Sequence, residues 1–318
     1  MAKFGFVQVA NEEEYRQKYL MYKILNGRFK KAADRIMPDY IAGNIYDMGI
    51  RDVNISGVRM CIPPIEDNNI KAKRLNKSIS YCMKTGIEVL AVDSSIDILD
   101  PKIEGVSKGL VYSPVVIINA VKSVAALLGI DFNRCSICIA DASTNVGLIL
   151  AEYLSSEVQY MTLLTPFREA ALKSAYTIMR NRGLSPAVMA NSKKALDDCD
   201  VLLYVGGIDI NELVANIHRK MVIANFTSET LNIEKDILIV DDAVLKGTKE
   251  PIIRGSIPQL TSRIWEGALL TQLSIDVDSY TADDMRSIGN IAKKLSIDIK
   301  TILSGGRPIG VEGIYRYR

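Results

Sequence analysis

The stretch SICIADASTNVGLILAEYL, residues 136–154, holds the reading on which the fold turns. Ser136–Ala140 is a short apolar run of the kind a strand buried on both faces carries. Asp141–Asn145 makes a polar turn, and Val146–Leu154 follows with helical spacing of its apolar residues. Downstream, Tyr160–Leu164 reads as a second strand and Glu169–Arg182 as the next helix. The short apolar runs Val188–Ala190, Val201–Val205, Met221–Asn225 and Ile237–Val240 read as further strands. Strands separated by helix-sized segments need crossover connections, so the class is α/β with a mainly parallel sheet and helices on both faces.

Upstream, Phe4–Ala10, Ser56–Ile62 and Ile87–Asp93 read as strands, the second stopped by Pro63-Pro64. Glu12–Phe29 and Lys71–Thr85 carry helical periodicity, with Gly86 closing the latter. Ser113–Leu128, followed by Gly129, is a largely apolar linker helix. The expected organisation is a smaller N-terminal α/β substrate lobe over residues 1–112. Residues 113–318 would then hold the linker helix, a nucleotide-binding domain and a C-terminal helical segment including Thr281–Leu295. The basic tail Tyr315–Arg318 is expected to be loosely held.

Of the 318 residues, 48% are hydrophobic and 24% charged, enough apolar material for a sizeable core. Lys plus Arg number 39 against 37 Asp plus Glu, so no whole-chain charge points to nucleic acid or an anionic membrane. The N-terminus MAKFGFVQVANEEEYRQKYL has no apolar core of signal-peptide length, and no apolar run is long enough to span a bilayer. With five cysteines the expected setting is the reducing cytoplasm. With His218 the one histidine, multi-histidine metal sites and His-Asp-Ser triads are disfavoured. Cys135 and Cys138 have a CxxC spacing but no partner pair, so no metal is expected.

A dinucleotide-binding fold places a glycine-rich turn after its first strand, so that the backbone approaches a pyrophosphate at a helix N-terminus. Gly147 stands where the last glycine of GxGxxG belongs, whereas Asp141 or Ala142 and Thr144 replace the earlier two. Ser143, Thr144, Asn145 and Val146 complete the candidate cradle; the alternative is a capped turn that binds nothing. An Asp141 carboxylate opposes a pyrophosphate unless it points away. After the second strand come Thr165 and Arg168 with no acid before Glu169, which favours NADP over NAD. Gly206-Gly207, after a later strand, leaves room for a cofactor.

Residues 109–154, GLVYSPVVIINAVKSVAALLGIDFNRCSICIADASTNVGLILAEYL, resemble the linker helix and nucleotide-binding start of long-chain acyl-[acyl carrier protein] reductases. That group is related to predicted amino-acid dehydrogenases and is more distantly similar to glutamyl-tRNA reductase and shikimate dehydrogenase. The resemblance runs from about Gly57 to DMRSIGNIAKKLSI and implies a substrate lobe, an NADPH-binding Rossmann lobe and a cleft between them. Its acyl-enzyme cysteine would lie just before a late helix, here Gln259–Glu266, where this chain has none. Its GATG-like turn here reads ADASTNVG.

Cys61 is then the best-placed nucleophile, at a position similar to that of glutamyl-tRNA reductases, if Arg59 or Lys71 lowers its pKa. Shikimate-dehydrogenase-like enzymes use a Lys–Asp pair, for which Lys71, Lys73 or Lys77 with Asp93 are the candidates; the alternative is a solvated helix face. His218 reads as a surface residue and Trp265 as helix packing. The expected function is an NAD(P)-dependent oxidoreductase acting on a small carbonyl or imine compound, amino-acid derived, by direct hydride transfer. The alternative is a non-catalytic protein that binds a metabolite or a protein partner. The expected partners are a small-molecule substrate and a second copy in a homo-oligomer, a dimer as in related folds.

Overall fold

A computed structural model describes residues 2–9, 38–50, 52–64, 67–92, 106–217, 220–227, 231, 233, 237–254 and 260–317. In chain order the strands are β1 (Ala2–Val9), β2 (Ile41–Asp47), β3 (Ile55–Ile62), β4 (Val89–Val92), β5 (Val106–Ser107), β6 (Ser136–Ala140), β7 (Tyr160–Leu164) and β8 (Ala187–Met189). There follow β9 (Val201–Tyr204), β10 (Val222–Asn225), β11 (Leu238–Val240), β12 (Asp242–Lys246), β13 (Ile252–Arg254), β14 (Asp298–Ser304) and β15 (Arg307–Ile309). One unit comprises Met1–Val111, Leu245–Ser279 and Asn290–Asp298; the other comprises Tyr112–Val244, Tyr280–Gly289 and Ile299–Arg318. The change of unit at Val111/Tyr112 falls where the linker helix begins, but residues 245–279 return to the first unit instead of extending a single C-terminal lobe.

The first unit is built on a six-stranded sheet of order β13-β2-β3-β1-β4-β5. β1 runs parallel to β3 and β4, and β4 to β5, while β2 is antiparallel to β3 and β13 to β2. The central strands are apolar on both faces: Phe4, Phe6, Val7, Met60 and Ile62 are buried. The helix Asn68–Lys84 covers one face with Leu75, Ile79 and Cys82, and starts where Asp67 Oδ1 accepts from Asn69 N at 2.9 Å. The helix Ser262–Leu270 is buried along most of its length, and a Cβ on its Gly267 would come within 2.9 Å of Phe4 Cδ2. β2, β5 and β13 are not legible as strands in the sequence. They lie toward or at the sheet edges, and β13 finds β2 only through the tertiary fold. The expected helix Glu12–Phe29 lies outside the described residues.

In the second unit, six strands form one parallel sheet of order β11-β10-β9-β6-β7-β8. Counted from β6, this is the order 3-2-1-4-5-6 of doubly wound dinucleotide-binding sheets, reversing direction between β6 and β9. The helix Ser113–Leu128 ends at Gly129 with φ 76°, the left-handed C-terminal geometry glycine favours. β14 and β15 form an antiparallel hairpin around Gly305 and Gly306. The chain then turns into a helix, Val311–Tyr315, which buries Ile314; the tail expected to hang loose thus begins anchored. Among the described residues no helix is long and apolar enough to cross a membrane.

Candidate functional site

In open parallel sheets, ligands bind beyond the carboxyl ends of the strands where the order reverses. Here that point lies between the ends of β6 and β9, so it brings together the turn after β6 and Gly206-Gly207 after β9. The end of β7, with Thr165, adjoins it on the other side of β6.

Asp141 leaves β6 with φ 58°, left-handed geometry that Asp tolerates better than most residues. It therefore does the tight-turn work of a first glycine. Its carboxylate is buried and turned inward. Oδ1 accepts from Ser143 Oγ at 2.5 Å and from Ser143 N at 3.4 Å, and Thr165 Oγ1 lies 3.4 Å away. Oδ2 rests against Gly207, where a Cβ would come within 1.8 Å of it. The Asp141 carboxylate thus points into the protein and is a strut between three strand ends.

Thr144 N-caps the helix Asn145–Leu154, its Oγ1 accepting from Gly147 N at 3.1 Å. A Cβ at Gly147 would lie 2.8 Å from the Asp141 carbonyl oxygen, so Gly147 does what a third glycine does, letting the helix close onto the turn. The role of the second glycine, close approach of the backbone to a diphosphate, has no counterpart, because Thr144 carries a side chain there. Asn145 is exposed and Val146 half-buried in the first turn of that helix.

Ser143, Thr144 and Thr165 hold the turn itself: Thr165 is fully buried and its Oγ1 also accepts from Phe167 N at 3.0 Å. Arg168 is exposed at the first position of the helix Arg168–Arg182. Gly206 and Gly207 have φ 89° and 79°, and Tyr204 Oη donates to Ile208 O at 3.1 Å across their turn. Sequence reasoning missed two residues on the same edge. Asn225, ending β10, donates from Nδ2 to Asp241 Oδ1 at 3.0 Å and accepts from Thr227 N at 3.0 Å. An Asn closing an otherwise apolar strand was the signal that could have found it.

Among the described residues, the candidates of the first unit are not gathered. Cys61 is buried on β3 at 1% exposure. Lys73 and Lys77 are exposed on the outer face of Asn68–Lys84, and Lys77 Nζ donates to Asp39 Oδ2 at 2.6 Å. Asp93 and His218 lie outside the described residues. Ser262, nearest to the expected late-helix cysteine, is fully buried. Its neighbour Glu266 accepts from Ser107 Oγ and, at 3.2 Å, from Val111 N. Among the described residues no cluster of His, Cys, Asp and Glu has the makings of a metal site. Cys138 and Cys199 touch, and their hydrogen bond together with burial pushes the Cys138 thiol up.

No family model matches the chain, and no curated protein does. Among solved structures, an L-tryptophan dehydrogenase from Nostoc punctiforme matches at 13% identity and TM-score 0.35, covering 73% of this chain and 65% of that one. The chain thus spans less than two thirds of that enzyme. A quinate dehydrogenase from Corynebacterium glutamicum in complex with NAD matches at 9% identity and TM-score 0.33, covering 70% and 79%. An ornithine carbamoyltransferase from Campylobacter jejuni matches at 9% identity and TM-score 0.34, covering 75% and 77%. Likenesses this distant span different chemistries, and the Rossmann-like α/β class of the chain rests on its own strand order and parallel pairing.

Proposed function

We propose that the chain is an oxidoreductase that takes a nicotinamide dinucleotide, NADP or NAD, on the second unit, beyond the carboxyl ends of β6, β7 and β9. The observation that supports this is the reversal of strand order between β6 and β9, with Gly147 seating a helix N-terminus beside it. The inward Asp141 carboxylate removes the main electrostatic objection from the turn. Asn145 and Val146 would meet the phosphates through the helix's first turn, and Arg168 a 2′-phosphate. The bound dinucleotide would supply or accept the hydride exchanged with a small carbonyl or imine compound, amino-acid derived. Cys61 is buried, which favours direct hydride transfer over a covalent intermediate.

Titration of the full chain with NADPH and NADH, followed by nicotinamide fluorescence, tests this reading. The Val146→Asp variant is the control. An acid in a helix's first turn favours the helix yet repels a phosphate, so binding should fall at least ~10-fold with the fold intact. No binding of either cofactor at millimolar concentration sinks the proposal.

A second reading, a non-catalytic protein binding a metabolite or a protein partner, is favoured by one observation. The second-glycine position is filled by Thr144, whose hydroxyl is already spent on capping.

A further inference from the structure

Phe167, shortly after β7, is the most exposed large apolar side chain among the described residues, at 70%. It is the N-cap of the helix Arg168–Arg182, with φ −102° and ψ 87°, so it stands outside the helical repeat. Its backbone is nonetheless fixed. Phe167 N donates to Thr165 Oγ1 at 3.0 Å, and Thr165 N donates to Met189 O at 2.9 Å. Thr165 Oγ1 in turn lies 3.4 Å from Asp141 Oδ1. A bare aromatic ring is therefore anchored to the same strut as the turn after β6, beyond the carboxyl end of β7.

A dinucleotide-binding fold receives the adenosine at this end of its sheet, where an acid ordinarily takes the ribose hydroxyls. Here the residues that follow β7 are Thr165, Pro166 and Phe167. Thr165 is fully buried and its hydroxyl is engaged within the turn. Proline carries no side-chain donor or acceptor. The first acid, Glu169, is displaced into the first turn of the helix, behind Arg168. Where a polar grip on the ribose belongs, the chain presents the face of a ring.

Resting on the dinucleotide reading above, we infer that Phe167 is the stacking platform for the adenine ring, and that this stack, not the ribose hydroxyls, holds the adenosine half. Stacking draws on the π-face and on the apolar area both partners remove from water. Adenine is uncharged, so the mixed charges of the neighbouring Arg168, Glu169 and Lys173 do not decide the occupant. A ring whose backbone is fixed before binding also loses little freedom when a base settles on it. The contact of Arg168 with a 2′-phosphate is separate and adds only for NADPH.

Titration calorimetry of the full chain with NADPH, NADH, ADP and 2′-deoxy-ADP tests the inference. Phe167→Ala should weaken NADPH, NADH and ADP alike, by at least ~5-fold, with an unchanged circular dichroism spectrum. Phe167→Leu, apolar but without a π-face, should lose most of the same affinity, and Phe167→Trp should keep it. The 2′-deoxy-ADP should bind within ~2-fold of ADP, since no hydrogen bond to that hydroxyl is lost. Phe167→Trp adds an exposed indole to the buried Trp265, and ADP should quench its emission on stacking. Unchanged affinity in Phe167→Ala, or an indole whose emission saturating ADP does not move, overturns the inference. So does 2′-deoxy-ADP binding ~10-fold more weakly than ADP, which would return recognition to the ribose. A chain that binds none of the four sinks the dinucleotide reading itself, and this inference with it.

Discussion

The Asp141 carboxylate and the backbone of Gly207 are in direct contact across the carboxyl ends of β6 and β9, with room between them for hydrogen but not for a methyl group. Gly207→Ala should therefore both strain a left-handed residue and displace a buried carboxylate, costing roughly 2–4 kcal/mol in urea denaturation. Adding Asp141→Gly should recover the steric part while leaving the backbone strain. Equal stability of the single and double variants would show that the contact carries no energy.

Thr144 caps a helix and fills the place where a dinucleotide-binding turn normally has its second glycine. Removing the cap with Thr144→Ala should cost about 1 kcal/mol. Thr144→Gly should cost only a few tenths and, by clearing the backbone, tighten NADPH binding several-fold in a fluorescence titration. Unchanged affinity in a folded Thr144→Gly chain would count against the turn as the phosphate site.

In the proposed site, Arg168 would separate the two cofactors. A charge-assisted hydrogen bond to the 2′-phosphate is worth ~1.5–3 kcal/mol, so Arg168→Ala should weaken NADPH by ~10-fold or more and leave NADH nearly unaffected. Equal losses for both would place Arg168 outside the site.

Burial pushes the Cys82 thiol up to about 11 from an ordinary 9.0. A group whose folded pKa is raised contributes stability in full below the unfolded value and loses it as pH rises through the folded one. Stability should therefore fall between about pH 9 and 11 from this thiol, and Cys82→Ala should flatten that limb of a plot of Tm against pH. A curve of the same shape in the variant would assign the alkaline loss to other groups.

The second unit was legible because its strands are buried on both faces and so appear as unbroken apolar runs with helices between. Ser136–Ala140, Tyr160–Leu164 and Ser113–Leu128 are found with the bounds their sequence implies. β2 and β13 lack that signature, since partners far along the chain complete them. Gly147 was visible as a glycine in a turn, and steric need explains it. The orientation of Asp141 was not visible: only the fold shows that Ser143, Thr165 and Gly207 surround its carboxylate. Lys77 read as half of a catalytic pair, yet its contact is with Asp39, which nothing in the local spacing announces.

The chain's division between its two units has a consequence for synthesis on the ribosome. The parallel sheet from β6 to β11 is encoded without interruption and complete once Val240 has emerged. The first unit, although it begins at the N-terminus, lacks β13 and the helix Ser262–Leu270 until far later. At ~5–20 residues per second, Phe4 and Ala91 wait roughly ten to fifty seconds for Gly267 to cover them. Each unit therefore waits on late chain, the first for residues 245–279 and 290–298 and the second for residues 280–289 and 299–318.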